Sequence, residues 1–324
     1  MAVKTKFLTN DFEGILSNYN LGEFVYSNPI TKGTVQTNFL IMTTRVKLIF
    51  RYYENRSKES VLFEINLINF LIDKKYPCPS PFNNKYGQFI GSYKNKPYVL
   101  FNFVEGEHIE NPDEIQKNQL IRKVAELHNV TIGYKPKLTQ YRLNYNVKQC
   151  KQLAQESAKK INTSNAREKL KWYTNQLSQL ILPSSLQKGI CHSDFHFSNV
   201  LFKNGELNAL IDFDDANYTF LIFDLVCLME PFKTTFDWNT WNKFSVDDNV
   251  FDFNQSRKVV LEYSKYRPLS ESEKIHLFDV FKLSVLIDCI WYFERGVIND
   301  FFEKRKIDYL NSLGRERFYQ KLFG

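Results

Sequence analysis

The segment from Gly189 to Leu228 concentrates the residues whose types and spacing could do chemistry. His192 and Asp194 begin an HxDxxxxN pattern that Asn199 completes, five positions after Asp194. A carboxylate can accept a proton from a substrate hydroxyl, and an amide oxygen can bind a hard cation. An apolar run that follows ends in Asp212, eighteen positions after Asp194. The spacing predicts a general base at Asp194 and metal ligands at Asn199 and Asp212.

A short hairpin is expected to bring the two metal ligands side by side. Val200–Phe202 and Leu207–Leu210 have strand-like composition, and Asn204-Gly205 between them favours a two-residue turn. Kinase catalytic loops have the same spacing, with Asp as the base and Asn as a magnesium ligand. Phosphoryl transfer from ATP depends on positioning and charge neutralisation, which these groups can supply. The segment therefore predicts a magnesium- and ATP-dependent kinase, in which His192 ties the loop to neighbouring backbone.

Other interpretations of these residues stay open at this point. His192, Asp194 and His196 could form a hydrolase metal cluster, although the chain has only 5 histidines and no second His motif. Asp194, Asn199 and Asp212 could also be ordinary turn residues. A third alternative is a catalytically silent kinase fold that serves as a binding or scaffold protein.

The sequence IDFDDANYTFLIFDL, Ile211–Leu225, resembles the aminoglycoside phosphotransferase and choline kinase superfamily. In that family the segment runs from the magnesium aspartate to a structural aspartate, here Asp224. Further stretches resemble the homoserine kinase branch: Asn18–Leu40, Ile49–Arg56, Lys74–Phe82 and Tyr266–Lys274. The resemblance implies an α+β, bilobal protein-kinase-like fold, with a small antiparallel-sheet N-terminal lobe and a larger, mainly helical C-terminal lobe. Residues 1–103 would cover the nucleotide, and residues 104–324 would carry the catalytic and acceptor-binding groups.

The resemblance also implies an acceptor, for which L-homoserine is the best prediction. Two stretches depart from the homoserine kinase branch, at Phe195–Ser198, where it usually has Leu-Phe-Pro-Asp, and at Asp214–Ala216, where it usually has Tyr-Phe-Ala. An amino alcohol, a sugar, an aminoglycoside or a protein Ser/Thr therefore remain alternative acceptors. The candidate acceptor contacts are His196, Asp214 and Asp288.

A nucleotide site is predicted in the N-terminal part. Alternation along the strand Val46–Tyr53 places Lys47 and Arg51 on one face. Arg51 aligns with a position where choline-kinase relatives often carry Arg, and its planar fork suits phosphate oxygens. Whether Lys47 or Arg51 contacts the phosphates stays open. Glu64, on the following helix, is the candidate to orient Arg51.

Two further features complete the predicted nucleotide site. Gly33 lies where a phosphate-covering turn is expected, although no GxGxxG motif is present. Phe101 and Phe103 flank a hinge whose backbone would contact adenine. The predicted ligands are therefore ATP, Mg²⁺ and a small hydroxylated metabolite.

Periodicity predicts a strand-rich start followed by a mainly helical remainder. The predicted strands are Thr37–Met42, Val46–Tyr53, Gln88–Tyr93 and Pro97–Val104. The predicted helices are Asp11–Asn18, Ser60–Ile72, Gln116–Leu127, Val147–Leu182 as two, Leu221–Met229, Ser256–Tyr266 and Ser270–Phe293 as two. Asp237–Asn254 is predicted to be a surface loop.

Composition narrows the class of protein. The 324 residues are 43% hydrophobic and 24% charged, which suits a chain with a full-sized core. The net charge of +7 has no basic tail or like-charge run, so neither nucleic acid nor a membrane is an expected partner. The five cysteines lack CxxC spacing, and no signal-peptide h-region or 18-residue apolar run occurs. We therefore expect a cytoplasmic enzyme with reduced thiols; the sequence does not indicate an oligomeric state.

Overall fold

The computed structural model describes residues 4–31, 35–229, 232, 250–294 and 303–324. The chain divides into two compact units. The first contains residues 1–116, 135–142 and 196–216, and the second contains residues 117–134, 143–195 and 217–324. The predicted lobe boundary after residue 103 stays a prediction. Gly33 and most of the predicted loop Asp237–Asn254 lie outside the described residues.

An antiparallel sheet forms the body of the first unit. Its five strands, in the spatial order β1-β2-β3-β5-β4, are β1 Phe24–Ile30, β2 Thr37–Thr43, β3 Lys47–Tyr52, β4 Ile90–Tyr93 and β5 Lys96–Asn102. The four predicted strands are confirmed, and β1 is an additional one. It pairs only with β2 among the described strands and contains Pro29, a residue that an edge strand tolerates.

The two faces of β3 have different surroundings. Leu48, Phe50 and Tyr52 are buried in a core cluster with helix α1 (Thr9–Leu16). Because side chains alternate along a strand, Ile49 and Arg51 lie on the other face, where they line a cavity. The alternation predicted from sequence therefore places Arg51 at this cavity.

Helix α2 (Lys58–Asp73) and a hairpin complete the positioning elements of the first unit. The hairpin consists of β7 (Val200–Lys203) and β8 (Glu206–Leu210), paired antiparallel. Asn204 and Gly205 both have positive φ, 54° and 82°, as a type I′ turn requires. The main-chain N–H of Glu107 donates to the Phe202 carbonyl at 2.9 Å and anchors the hairpin to the segment after β5. The predicted hairpin is confirmed.

The second unit is mainly helical. Its described helices are α3 Glu114–Val130, which begins in the first unit, α4 Val147–Ile161, α5 Ser164–Ser178, α6 Ile222–Met229, α7 Phe253–Tyr266, α8 Glu271–Glu294, α9 Glu303–Leu313 and α10 Arg315–Phe323. Strands β6 (Lys188–Cys191) and β9 (Asn217–Phe220) form a two-stranded antiparallel sheet. Among the described residues, no helix has both the length and the apolar character needed to cross a bilayer.

Two helix predictions have opposite outcomes. The break near Asn162–Ser164 is confirmed: Asn162 ends α4 with φ 52°, and the Thr163 side chain accepts from the Ala166 N–H at 3.1 Å and so caps α5. The prediction of two helices over Ser270–Phe293 is wrong. Helix α8 is a single element of 24 residues, and the stretch contains no Gly or Pro to interrupt it.

Candidate active site

A cavity of about 970 Å³ lies within the first unit. Its walls include the open face of β3, helix α2, the end of β5 and the segment after it, the turn before β7 and the stretch around Asp212. The predicted site residues that line it are Arg51, Glu64, Phe101, Phe103, His196, Asn199 and Asp212. Residues that are far apart in sequence therefore meet at one cavity.

Arg51 forms the shortest charged contact at this cavity. Its Nη2 lies 2.6 Å from Oδ1 of Asp212 and 3.9 Å from Oδ2 of Asp214. Burial lowers the pKa of Arg51, but the Asp212 carboxylate and its acidic neighbours raise that pKa by more, so the net pKa lies well above its ordinary value. Arg51 therefore stays charged although it is only 9% exposed.

Glu64 is a buried acid beside this cation. Burial raises its pKa to about 7, and the charge of Arg51 opposes that rise. Among the described residues, neither Oε2 of Glu64 nor Nε of Arg51 has a hydrogen-bond partner. Buried polar atoms without partners are rare and call for an explanation. Both side chains line the cavity, and the positive charge of Arg51 there fits an anionic ligand.

Asn199 and Asp212 are placed by the hairpin. The main-chain carbonyl of Asn199 accepts from the N–H of Ile211 at 2.9 Å, which links the two ends of the β7–β8 unit. Asp212 has left-handed backbone angles, φ 63° and ψ 65°, and its side chain is 38% exposed. An amide oxygen and a carboxylate at one cavity are the donor types that Mg²⁺ prefers, so these residues fit the metal.

The end of β5, where the adenine-contacting hinge is predicted, is bonded to Ser80. Asn102 donates its N–H to the Ser80 carbonyl at 2.9 Å, and its Oδ1 accepts from the Ser80 N–H at 2.6 Å. Phe101 and Phe103 line the cavity on either side of Asn102. The ammonium of Lys47 lies 3.6 Å from the centre of the Phe103 ring. This geometry favours Arg51 over Lys47 as the phosphate contact.

The candidate acceptor contacts have different surroundings. Nδ1 of His196 lies 2.5 Å from Oγ of Ser198, and its Nε2 lies 3.4 Å from Nδ2 of Asn199. Asp288 is exposed on α8, in the second unit. That His196 and Asp288 contact an acceptor stays a prediction.

Asp214 is held by donors of its own unit. Its carboxylate accepts from Nε of Arg56 at 2.9 Å and from Nε2 of Gln36 at 2.8 Å. Burial raises the pKa of Asp214, but Arg51 and Arg56 lower it by more, so its net pKa lies below the ordinary value. Arg56 also bonds Asp215 at 2.8 Å. The predicted acceptor contact of Asp214 stays a prediction.

The loop that carries Asp194 belongs to the second unit. Asp224, fully buried on α6, accepts from the main-chain N–H groups of His192 at 2.9 Å and Ser193 at 2.8 Å. Oγ of Ser193 accepts from Nδ2 of Asn217 at 2.7 Å, and the Ser193 φ is 65°. Asp194, which follows Ser193, is half-buried. Two hydrogen bonds thus hold the backbone just before the predicted base, and a third holds the Ser193 side chain.

Sequence reasoning missed the residues that support these groups. In the second unit, Nε2 of His128 lies 3.0 Å from Oδ2 of Asp224, and its Nδ1 lies 2.6 Å from the Tyr263 hydroxyl. In the first unit, Gln36 and Arg56 bind Asp214. No spacing signal could have identified them, because each lies nearly a hundred residues or more from its partner in the chain.

The phosphotransferase enzyme family model, APH, matches residues 28–269. A homoserine kinase of Bartonella henselae is 29% identical over 83% of this chain and 81% of its own length. A homoserine kinase of Agrobacterium fabrum is 26% identical over 96% of this chain and 89% of its own.

Solved structures share the fold at lower identity. The spectinomycin phosphotransferase APH(9)-Ia has a TM-score of 0.62 at 13% identity and covers 99% of both chains. A microcompartment-associated aminopropanol kinase has a TM-score of 0.59 at 14% identity and covers 97% of this chain and 99% of its own. The predicted α+β, kinase-like fold is confirmed.

Proposed function

The chain belongs to the phosphotransferase enzyme family, and on this premise we propose that it transfers the γ-phosphoryl group of ATP to the hydroxyl of L-homoserine. The observation that carries the proposal is the meeting of Arg51, Asn199 and Asp212 at one cavity. A cation for phosphate and two oxygen ligands for a metal are the parts that phosphoryl transfer needs. The relatives named homoserine kinase support the choice of acceptor.

The nucleotide would be bound by residues 1–103. Arg51 contacts phosphate oxygens through its fork, and Glu64 supplies a nearby countercharge that limits where the guanidinium can lie. The backbone around Phe101 and Phe103 contacts adenine; the phosphate-covering turn predicted at Gly33 lies outside the described residues. Arg51 and Glu64 both line the cavity, which supports this part of the proposal.

Asn199 and Asp212 would hold Mg²⁺, which when bound neutralises charge on the transferred phosphoryl group. The left-handed backbone of Asp212 turns the chain immediately after the ligand, and the hairpin sets its spacing from Asn199. Because Arg51 lies 2.6 Å from Asp212, phosphate and metal ligands would be oriented together.

Asp194 would act as the general base within residues 104–324, the proposed catalytic and acceptor-binding lobe. The acceptor oxygen attacks the γ-phosphorus, the bond between that phosphorus and the β–γ bridging oxygen breaks, and ADP leaves with the bond electrons. The hydroxyl proton passes to the carboxylate of Asp194. His192 and Asp224 act as structural support, since Asp224 binds the backbone just before the base.

A different acceptor is the second candidate. The departures at Phe195–Ser198 and Asp214–Ala216 flank the expected acceptor site, and solved structures of this fold include a spectinomycin phosphotransferase and an aminopropanol kinase. A catalytically silent protein is disfavoured because Asp194, Asn199 and Asp212 are all present.

The test is ADP release by purified protein with ATP and Mg²⁺. L-Homoserine, choline, ethanolamine, 1-amino-2-propanol and kanamycin are supplied separately, with Asp194→Asn as the matched inactive control. We expect the highest kcat/KM with L-homoserine, and no acceptor-dependent release by the control. Release with homoserine no higher than without acceptor would reject this acceptor. Stimulation by another member of the panel would then identify the acceptor class and leave the kinase assignment in place.

A further inference from the structure

We propose that Arg142 is a positioning residue, which fixes the loop that follows Asp212 against the first turn of α2 and so sets the affinity for metal-bound nucleotide. The inference rests on the proposed function, because it assigns Asp212 to the metal. Arg142 directly follows a short 3₁₀ turn, Thr139–Tyr141, in a segment that belongs to the first unit. It does not contact the reacting groups itself.

The guanidinium of Arg142 binds three carbonyls of the loop and Ser60 of helix α2. Its Nε donates to the carbonyl of Ala216 at 2.8 Å, and its Nη2 donates to the carbonyls of Phe213 at 3.0 Å and Asp214 at 2.5 Å. Its Nη1 donates to the carbonyl and the Oγ of Ser60, at 3.2 and 3.0 Å. These are five hydrogen bonds, equal to the number of N–H donors that a guanidinium has.

The loop needs such support because its backbone is unusual. Asp212 has a left-handed conformation that L-residues seldom adopt. Such conformations persist where the surroundings hold them in place. Arg142 binds three of the four carbonyls immediately after Asp212, those of Phe213, Asp214 and Ala216. The direction of the Asp212 carboxylate therefore depends on these bonds.

The helix end of the network carries Glu64. Ser60, which Arg142 binds, lies one turn before Glu64 on α2, so both lie on the same side of the helix. One guanidinium thus links the turn that carries the metal ligand with the turn that precedes the partner of Arg51. The distance between Asp212 and Glu64 therefore depends on Arg142.

Only an arginine can make this set of contacts. The side chain is 4% exposed and stacks over the Phe63 ring, with 5.0 Å between the guanidinium carbon and the ring centre. A lysine would keep the charge but has three donors on a single atom, so it cannot reach Ser60 and all three loop carbonyls. Arg142→Lys therefore removes part of this set of hydrogen bonds and keeps a cationic side chain.

The experiment measures metal–nucleotide binding directly. Free Mn²⁺ is followed by electron paramagnetic resonance during titration of protein and the non-hydrolysable analogue AMP-PNP. We expect Arg142→Lys to weaken binding of Mn²⁺·AMP-PNP by about 10- to 100-fold, as loss of residues that orient metal ligands usually does. The conservative change Ser60→Ala, which removes one acceptor, weakens it in the same direction but by less.

Arg315→Lys in the second unit is the control. Arg315 makes three hydrogen bonds to Asp279, at 2.6 to 3.1 Å. Its replacement by lysine also removes a guanidinium, but this guanidinium does not bind the loop that follows Asp212. The control is expected to bind Mn²⁺·AMP-PNP within about twofold of wild type. Binding by Arg142→Lys within that range, or an equal loss in Arg315→Lys, would overturn the inference.

Two further outcomes are informative. If Arg142→Lys does not fold, Ser60→Ala decides: unchanged binding overturns the inference, and weaker binding at unchanged melting temperature supports it. A wild-type protein that binds no Mn²⁺·AMP-PNP would overturn the proposed function and the inference together. Failure of the inference alone is thus distinguishable, because wild-type binding is then intact.

Discussion

Glu64→Gln should raise the stability of the metal-free protein at alkaline pH. Glu64 is 2% exposed, and among the described residues its Oε2 has no hydrogen-bond partner. Burial raises its pKa to about 7 from an ordinary value of 4.5. A glutamine has nearly the same shape and carries no charge at any pH, so the substitution removes the titration and little else.

The sign and size of the effect follow from linkage. Below pH 4.5 the folded and unfolded forms are both protonated, and the raised pKa contributes nothing. Between pH 4.5 and 7 the unfolded chain loses its proton more readily than the folded protein, so the free energy of unfolding falls as pH rises. The whole difference amounts to about 3 kcal/mol at about 1.4 kcal/mol per pKa unit.

The assay is urea unfolding in EDTA at pH 5 and pH 8. Relative to wild type, Glu64→Gln should gain about 2 kcal/mol between the two pH values, since part of the titration is already complete at pH 5. The same variant should bind Mg·ATP less well, because Arg51 loses its neighbouring carboxylate.

Glu54→Gln is the matched control in the same unit. Glu54 is also buried, but hydrogen bonds from Thr37, Thr5 and Lys96 outweigh burial and lower its pKa. A lowered pKa contributes stability that is lost only as pH falls below about 4.5, so the effect of Glu54→Gln should be the same at pH 5 and pH 8. If the effect of Glu64→Gln on the free energy of unfolding is also the same at pH 5 and pH 8, the buried acid does not titrate as its surroundings indicate.

Three further predictions concern the catalytic groups. Asp194→Asn should keep nucleotide binding and lower kcat by about 10²- to 10⁴-fold, which steady-state kinetics with calorimetric binding can check. Asp212→Ala should weaken Mg²⁺-dependent ATP binding more than Asn199→Ala, because a charged carboxylate binds a hard dication better than an amide; equal Mg²⁺ affinities would remove the metal assignment. Asp224→Asn should cost about 2 kcal/mol of unfolding free energy, since its new NH₂ group opposes main-chain donors, and a urea midpoint like that of wild type would contradict this.

Local patterns predicted the elements that position the site. The alternation along β3 identifies the face of Arg51, because the residues on one side of the strand pack in a core and those on the other side do not. Asn204-Gly205 identifies the hairpin because few other dipeptides adopt two positive φ angles at low cost. These are properties of a few neighbouring residues, which a sequence displays directly.

The supporting network could not be predicted because its members interact over long distances in the chain. Gln36 and Asp214 are 178 positions apart, and Arg56 and Asp214 are 158 apart. No periodic spacing or sequence motif indicates either contact. The error over α8 has a different cause: buried residues lie on every side of this helix, so its sequence lacks the amphipathic pattern that marks a continuous helix.

Incomplete hydrogen bonding of polar side chains at the cavity supports its assignment as a binding site. Oδ1 of Asn38, Nε of Arg51 and Oε2 of Glu64 have no hydrogen-bond partner among the described residues, and all three side chains line the same cavity. Each such atom costs about 1 to 3 kcal/mol, so three together are a large part of the stability of one domain. By contrast, the buried carboxylate of Asp214 accepts hydrogen bonds from Arg56 and Gln36. The cavity thus combines polar side chains whose hydrogen bonding is incomplete with open space beside them, as a ligand-binding site does and a packed core does not.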